Sequence, residues 1–179
     1  MRIISGKYKG KRLLAPKKLP VRPTTDMAKE GLFNILNNRF YMDELSVLDL
    51  FAGTGNLSFE FGSRGAKQIV AVDLHSSCVQ FISKIAKELD LPISAIKSDA
   101  FKYLERSPEK FNIIFADPPY NFEQKQFLNI VDLVFEKELL ENDGLLIVEH
   151  SSQTDLSNNP YFNEQRKYGG NIFSFFEKK

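Results

Sequence analysis

Five short apolar runs, each followed by a turn and a helix-like or polar stretch, constrain this chain more than any other feature. They are 46–50 (SVLDL), 68–72 (QIVAV), 93–97 (ISAIK), 111–116 (FNIIFA) and 144–149 (GLLIVE). Runs this short and this apolar read as strands buried on both faces. Helices are expected over about 26–39, from the FAGTGN loop to about Arg64, over about 76–89, through Glu105, and over about 123–138. The first has a cap in Thr25 or Asp26 and an apolar side in Met27, Leu32, Phe33, Ile35 and Leu36. Alternation of this kind predicts an α/β fold, a mostly parallel sheet with helices on both faces. Segments 162–168 and 171–177, joined at Gly169-Gly170, read as a terminal β-hairpin. In such a sheet a ligand sits at the C-terminal ends of the strands, near the point where strand order reverses.

The 179 residues suit one domain, 1–179, with a real core. No apolar run is long enough to cross a bilayer, and the opening MRIISGKYKG lacks the apolar stretch of a secretory signal. A cytoplasmic monomer is the expectation. Cys78 is the single cysteine, so no internal disulfide forms, and with only His75 and His150 beside it no structural zinc site and no catalytic metal are expected.

Charge is unevenly spread. Residues 1–22 hold eight basic side chains (Arg2, Lys7, Lys9, Lys11, Arg12, Lys17, Lys18, Arg22) and no acid, while the remainder has a net charge of −7. The segment 1–25 therefore reads as a basic arm for a polyanion, attached to a catalytic body over 26–179, or else as a solvated terminus. Lys7, Lys9, Lys11 and Arg12 are its candidate nucleic-acid contacts. Prolines 16, 20 and 23 argue against a helix, and the pairs Ile3-Ile4 and Leu13-Leu14 allow a small hairpin.

Four acids collect at strand ends: Asp49, Asp73, Asp99 and Asp117. Any one of them could simply cap the next helix. Asp49 precedes the loop Phe51-Ala52-Gly53-Thr54-Gly55, whose glycines let backbone approach a ligand. A dinucleotide site would want a third glycine where Leu57 stands, and an acid beside pyrophosphate adds repulsion. A cationic ligand suits the acid, and S-adenosyl-L-methionine has an ammonium for Asp49. Asp73 could accept from ribose hydroxyls, Asp99 from the adenine amino group, and Ala100 could offer its N–H. Phe51 packs against the cofactor or in the core.

Asp117-Pro118-Pro119-Tyr120 follows the fourth run directly. Two prolines make it rigid and leave its carbonyls as free acceptors. The exocyclic amine of a base is a poor nucleophile because its lone pair is delocalised into the ring. The Asp117 carboxylate and the Pro118 carbonyl, aimed at its two hydrogens, would hold it pyramidal, and Tyr120 offers a face for the base.

DLFAGTG followed by DPPY resembles the amino-methyltransferases of nucleic-acid bases. The fuller set of MRIISGKYKGKRL, RPTTDMAKEGLFNIL, VLDLFAGTGNLSFEFGSRGA and KYGGNIFSFF resembles the RsmD-like family, over residues 1 to about 176. That likeness implies a class I (Rossmann-like) methyltransferase fold with seven strands, the last antiparallel. It also implies methylation of guanine N2 in small-subunit (16S) ribosomal RNA, with the rRNA or the small subunit as partner. It implies substrate or cofactor contacts for Arg22, Thr24 and Thr25, though Arg22 could equally bind phosphate and the threonines cap a helix. Met27 stands where the family often has Arg. Residue chemistry alone leaves two alternatives, a DNA adenine-N6 or cytosine-N4 methyltransferase and an RNA-binding assembly factor with a vestigial cofactor fold. No segment remains for a separate DNA-reading domain, and the intact acids argue against decay.

Overall fold

The apolar runs become the centre of one seven-stranded sheet in the computed structural model, which describes residues 1–19 and 24–179. The strands are β1 (Ser46–Leu50), β2 (Gln68–Asp73), β3 (Ile93–Lys97), β4 (Phe111–Ala116), β5 (Leu140–His150), β6 (Phe162–Tyr168) and β7 (Asn171–Phe176). Their order is β3-β2-β1-β4-β5-β7-β6. β1 to β5 are mutually parallel; β7 runs antiparallel to β5 and to β6. The expected α/β class, the seven strands and the antiparallel last strand are all present.

Among the described residues five α-helices flank the sheet: α1 (Asp26–Asn37), α2 (Asn56–Ser63), α3 (Ser76–Glu88), α4 (Ala100–Arg106) and α5 (Gln124–Glu136). Thr25 caps α1 by accepting from the Ala28 N–H. One face of the sheet packs Leu48, Leu50, Ile114 and Val148 beneath α4 and α5. The other packs Val47, Phe115 and Ile147 beneath α1 and α2. β5 is longer than expected, because the polar residues Glu141 to Asp143 precede its apolar part within the strand, across a register shift against β4.

The basic N-terminal segment is an arm in charge only. Arg2 and Arg12 form an antiparallel bridge, and Ile3 and Leu13 are buried against Phe59 of α2. Tyr8 Oη donates to the Leu89 carbonyl at 2.6 Å. Gly6 (φ +87) lies so close to α2 that an added Cβ would stand 2.0 Å from the Ser63 carbonyl oxygen. The docked hairpin and the sheet enclose α2 completely, so all eight of its residues are buried.

That enclosure traps charge. Lys29 of α1 and Glu60 of α2 are both fully buried and lie 3.1 Å apart. Glu60 also accepts from the backbone N–H groups of Ile4 and Ser5 and from Arg64 Nε. Lys29 Nζ donates to the Arg2 carbonyl at 2.6 Å and to Asn56 Oδ1 at 2.8 Å. Burial pulls the Lys29 pKa down and the Glu60 charge opposes it. This cluster fastens the hairpin to the body.

Candidate active site

A cleft of about 560 Å³ opens at the C-terminal ends of the parallel strands. Strand order reverses between β1 and β4, and the cleft lies over that point. It brings together Asp49, Phe51, Gly53, Asp73, Asp99, Ala100, Asp117, Pro118 and Tyr120, with Thr24 at its edge.

The loop after β1 is shaped by the acid after β2. Asp73 Oδ2 accepts from the Gly53 N–H and Oδ1 from the His75 N–H, each at 2.9 Å. Phe51 takes a left-handed backbone (φ 56), uncommon for a bulky residue, and the loop bond from Ala52 N–H to the Val72 carbonyl holds it there. Gly55 does not line the cleft. At φ +81 it starts α2, and an added Cβ would stand 2.9 Å from Phe59 and Ile82. Its requirement is close packing beneath the loop, where the sequence suggested backbone approach to a ligand.

Asp49 is 2 % exposed, and its Oδ2 accepts from Ser58 Oγ at 2.6 Å. Burial pushes its carboxyl up to about 7, with the Ser58 bond opposing and the Asp73 charge adding to the rise. Asp99 does cap α4, accepting from the Lys102 N–H at 3.0 Å, so the plain reading of that acid holds alongside its place in the cleft.

Pro118 is buried while Pro119 and Tyr120 face outward, Tyr120 with 64 % of its surface exposed. The Pro119 carbonyl accepts from the Phe122 N–H, which turns Phe122 inward. Its ring meets Phe51 edge-on at 5.5 Å and stacks on Phe101 at 6.0 Å. Phe51 and Phe122 thus give the cleft an apolar wall, backed by Phe101.

Several lining residues were not singled out in the sequence: Thr54, Asn56, Phe122, Glu149, His150 and Asn171. Thr24 Oγ1 donates to Glu149 Oε2 at 3.1 Å, and Asn56 Nδ2 donates to the Thr24 carbonyl at 3.1 Å. His150 Nδ1 faces the Ser151 carbonyl, an acceptor only, so Nδ1 carries the proton and Nε2 accepts from Ser174 Oγ. Burial lowers the His150 pKa, in keeping with a neutral ring. Glu149 had a signal: it ends the fifth apolar run as the other acids end or follow theirs.

Other candidates lie elsewhere. Lys7, Lys9, Lys11 and Arg12 are exposed on the docked hairpin and do not line the cleft. Thr25 is occupied as a helix cap. Arg22 falls outside the described residues. Asp73, His75 and Cys78 place three possible ligand atoms within 4.8 Å of one another. Burial pushes the Cys78 thiol up to about 11, and Asp73 is committed to the loop, so this trio has the chemistry of an anchor for the turn.

A family model described as Conserved hypothetical protein 95 matches residues 1–177. The chain belongs to that family. YlbH of Bacillus subtilis, provisionally named an rRNA methyltransferase, is 36% identical over 161 residues, covering 87% of this chain and 85% of YlbH. Ribosomal RNA small subunit methyltransferase D of Escherichia coli is 30% identical over 161 residues, covering 89% of this chain and 79% of that one. Among solved structures, yhhF of Escherichia coli, provisionally called a methyltransferase, superposes with a TM-score of 0.85 at 28% identity, covering 98% and 96% of the two chains. The match reaches from the hairpin to β7, so the docked N-terminus belongs to the family's fold. The RsmD-like resemblance is thereby established as membership.

Proposed function

We propose that this protein methylates the N2 amino group of a guanine in small-subunit ribosomal RNA, with S-adenosylmethionine as donor. The observation that carries the donor is the charge of the cleft. Its described lining holds five carboxylates and neither lysine nor arginine. Such a lining favours a ligand with a sulfonium and an ammonium and disfavours a pyrophosphate. About 560 Å³ is ample for a nucleoside with an amino-acid tail.

In this reading Asp49 faces the ammonium, while Gly53 and Gly55 shape the loop over the tail. Asp73 keeps acceptor capacity for ribose hydroxyls beyond its bonds to the loop. Asp99 and Ala100 meet the adenine, and Phe51 packs on it. The donor supplies a methyl group on a good leaving group, so no metal is needed. Asp117 and the Pro118 carbonyl hold the target amine, Tyr120 stacks on its base, and Asp117 or water takes the proton released as the N–C bond forms. Lys7, Lys9, Lys11, Arg12 and Arg22 supply phosphate contacts, and Thr24 and Thr25 border the base. The rRNA substrate rests on what the relatives are named for and on this basic surface, which suits a polyanion. Among the described residues no helix is long and apolar enough to cross a membrane. We read the chain as one catalytic domain, 1–179, acting as a monomer in the cytoplasm.

The test offers labelled S-adenosylmethionine with small subunits, free rRNA and duplex DNA in parallel. Label is expected in rRNA, free or assembled. Label in DNA alone would overturn the substrate.

Asp49 adds a pH signature. Its folded pKa is raised, so the donor-free protein loses stability as pH climbs from the ordinary carboxylate range to about 7. An ammonium beside it favours the ionised form, so donor binding expels the proton below that point. Affinity for S-adenosylmethionine should rise with pH, approaching about tenfold per unit, and level off near 7. Calorimetry in two buffers of different ionisation heat measures the proton released. An affinity flat across this range would contradict the pairing.

A further inference from the structure

The strand register sets a second carboxylate beside Asp117. Ala116 pairs with Val148 across β4 and β5, so Asp117 and Glu149 are the next residues on adjacent parallel strands, about 5 Å apart at the backbone. Alternation sends both toward the α1 face, the face of Phe115 and Ile147. Both line the cleft. Glu149 is 5 % exposed and is held by the Thr24 hydroxyl, whose residue is fixed in turn by Asn56. Its orientation is therefore set by the protein before any base arrives. An ionised carboxylate offers about four acceptor sites, so protein contacts and a ligand hydrogen bond can coexist on it.

The edges of the bases differ in what they show next to the amine. Guanine presents its N2 amine beside N1–H, two donors in a row. Adenine and cytosine present their amine beside a ring nitrogen lone pair. With the amine held by Asp117 and the Pro118 carbonyl, an acceptor one strand over meets N1–H in guanine and a like-polarity lone pair in the other two. We propose that Glu149 accepts the N1–H of the target guanine and so sets the choice of base. This rests on the guanine-N2 reading above, and gives it a basis in this chain's own residues.

The test changes the substrate at N1. 2-Aminopurine keeps the N2 amine but has a lone pair at N1 and a hydrogen in place of the 6-oxo group. The loss of that oxygen is common to wild type and variant, so it cancels in their comparison. Small subunits are reconstituted on rRNA carrying guanine or 2-aminopurine at the methylated position, and kcat/KM is measured for wild type and Glu149→Gln. Wild type should prefer guanine by about 10²-fold, the scale of a lost base-reading contact. In E149Q the amide can turn its NH2 toward the N1 lone pair, and the Thr24 hydroxyl can accept or donate to suit. The preference should then shrink to less than about tenfold, chiefly through loss on guanine. An equal loss on both substrates would mean that Glu149 is only structural, and would overturn the proposal. So would a wild type that uses 2-aminopurine as readily as guanine, whether or not the variant folds. Wild-type label on an adenine or cytosine amine would defeat the guanine reading and this inference together. Label on guanine N2 with an unchanged preference in E149Q would defeat the inference alone.

Discussion

Asp117→Ala is expected to lower kcat for methyl transfer by about 10³-fold while S-adenosylmethionine still binds to within a few-fold of wild type. Both halves of that result follow from position. Asp117 directly follows β4 and lines the cleft beside Pro118 and Tyr120. The cofactor contacts proposed for Asp49, Asp73 and Asp99 come from β1, β2 and the start of α4. The substitution leaves all of these in place. It removes the charged acceptor proposed to hold the amine and to receive its proton as charge develops on nitrogen. The Pro118 carbonyl remains, so the amine keeps one of its two acceptors and the base keeps its stacking face. Single-turnover transfer measures the first effect and donor titration the second. A variant that lost donor affinity in proportion to kcat would relocate Asp117 to the cofactor half.

The second large effect is on stability. Lys29→Met keeps the length of the side chain and removes its charge, stranding the Glu60 carboxylate at zero exposure. Arg64 and the Ile4 and Ser5 N–H groups still reach Glu60, which softens the loss but does not cancel it. Breaking one partner of a buried pair costs about 3–5 kcal/mol. For a domain of this size that lowers Tm by roughly 6–20 °C. The damage should start at the hairpin, because Lys29 also binds the Arg2 carbonyl. Amide exchange at Ile4 and Ser5 should speed up more than exchange in β1 or β4. A Tm within about two degrees of wild type would show that the pair contributes little.

Lys29 also illustrates what could be read in advance. It lies at i, i+3, i+4 and i+7 with Leu32, Phe33 and Leu36, on the apolar side of α1, yet hydropathy alone sets lysine on a surface. Its partner was out of view because Glu60 comes from a different helix, and helix-to-helix pairing leaves no local pattern. β1, β2, β4 and the apolar part of β5 were legible for the opposite reason: burial on both faces makes each a nearly continuous apolar run. β3, at the sheet edge, departs from that expectation and is not buried on both faces. β5 began earlier than expected because polar residues at a strand's start look like a turn. In the cleft, acids at strand ends were visible since strand ends are visible. Glu149 was passed over as part of its run, and Asn171 and His150 carry no motif. Gly55 was recognised, but its role in packing depends on Phe59 and Ile82, the latter from α3. The apolar pairs Ile3-Ile4 and Leu13-Leu14 allowed a small hairpin in the basic segment, and that hairpin is present, but nothing in its spacing foretold that Ile3 and Leu13 would pin it to α2.

The central claim concerns one nitrogen on one base. The most direct measurement digests rRNA labelled by the wild-type protein to nucleosides and separates them. N2-methylguanosine should carry the label, and Asp117→Ala should leave that peak empty. Label in N6-methyladenosine or N4-methylcytidine would contradict the account.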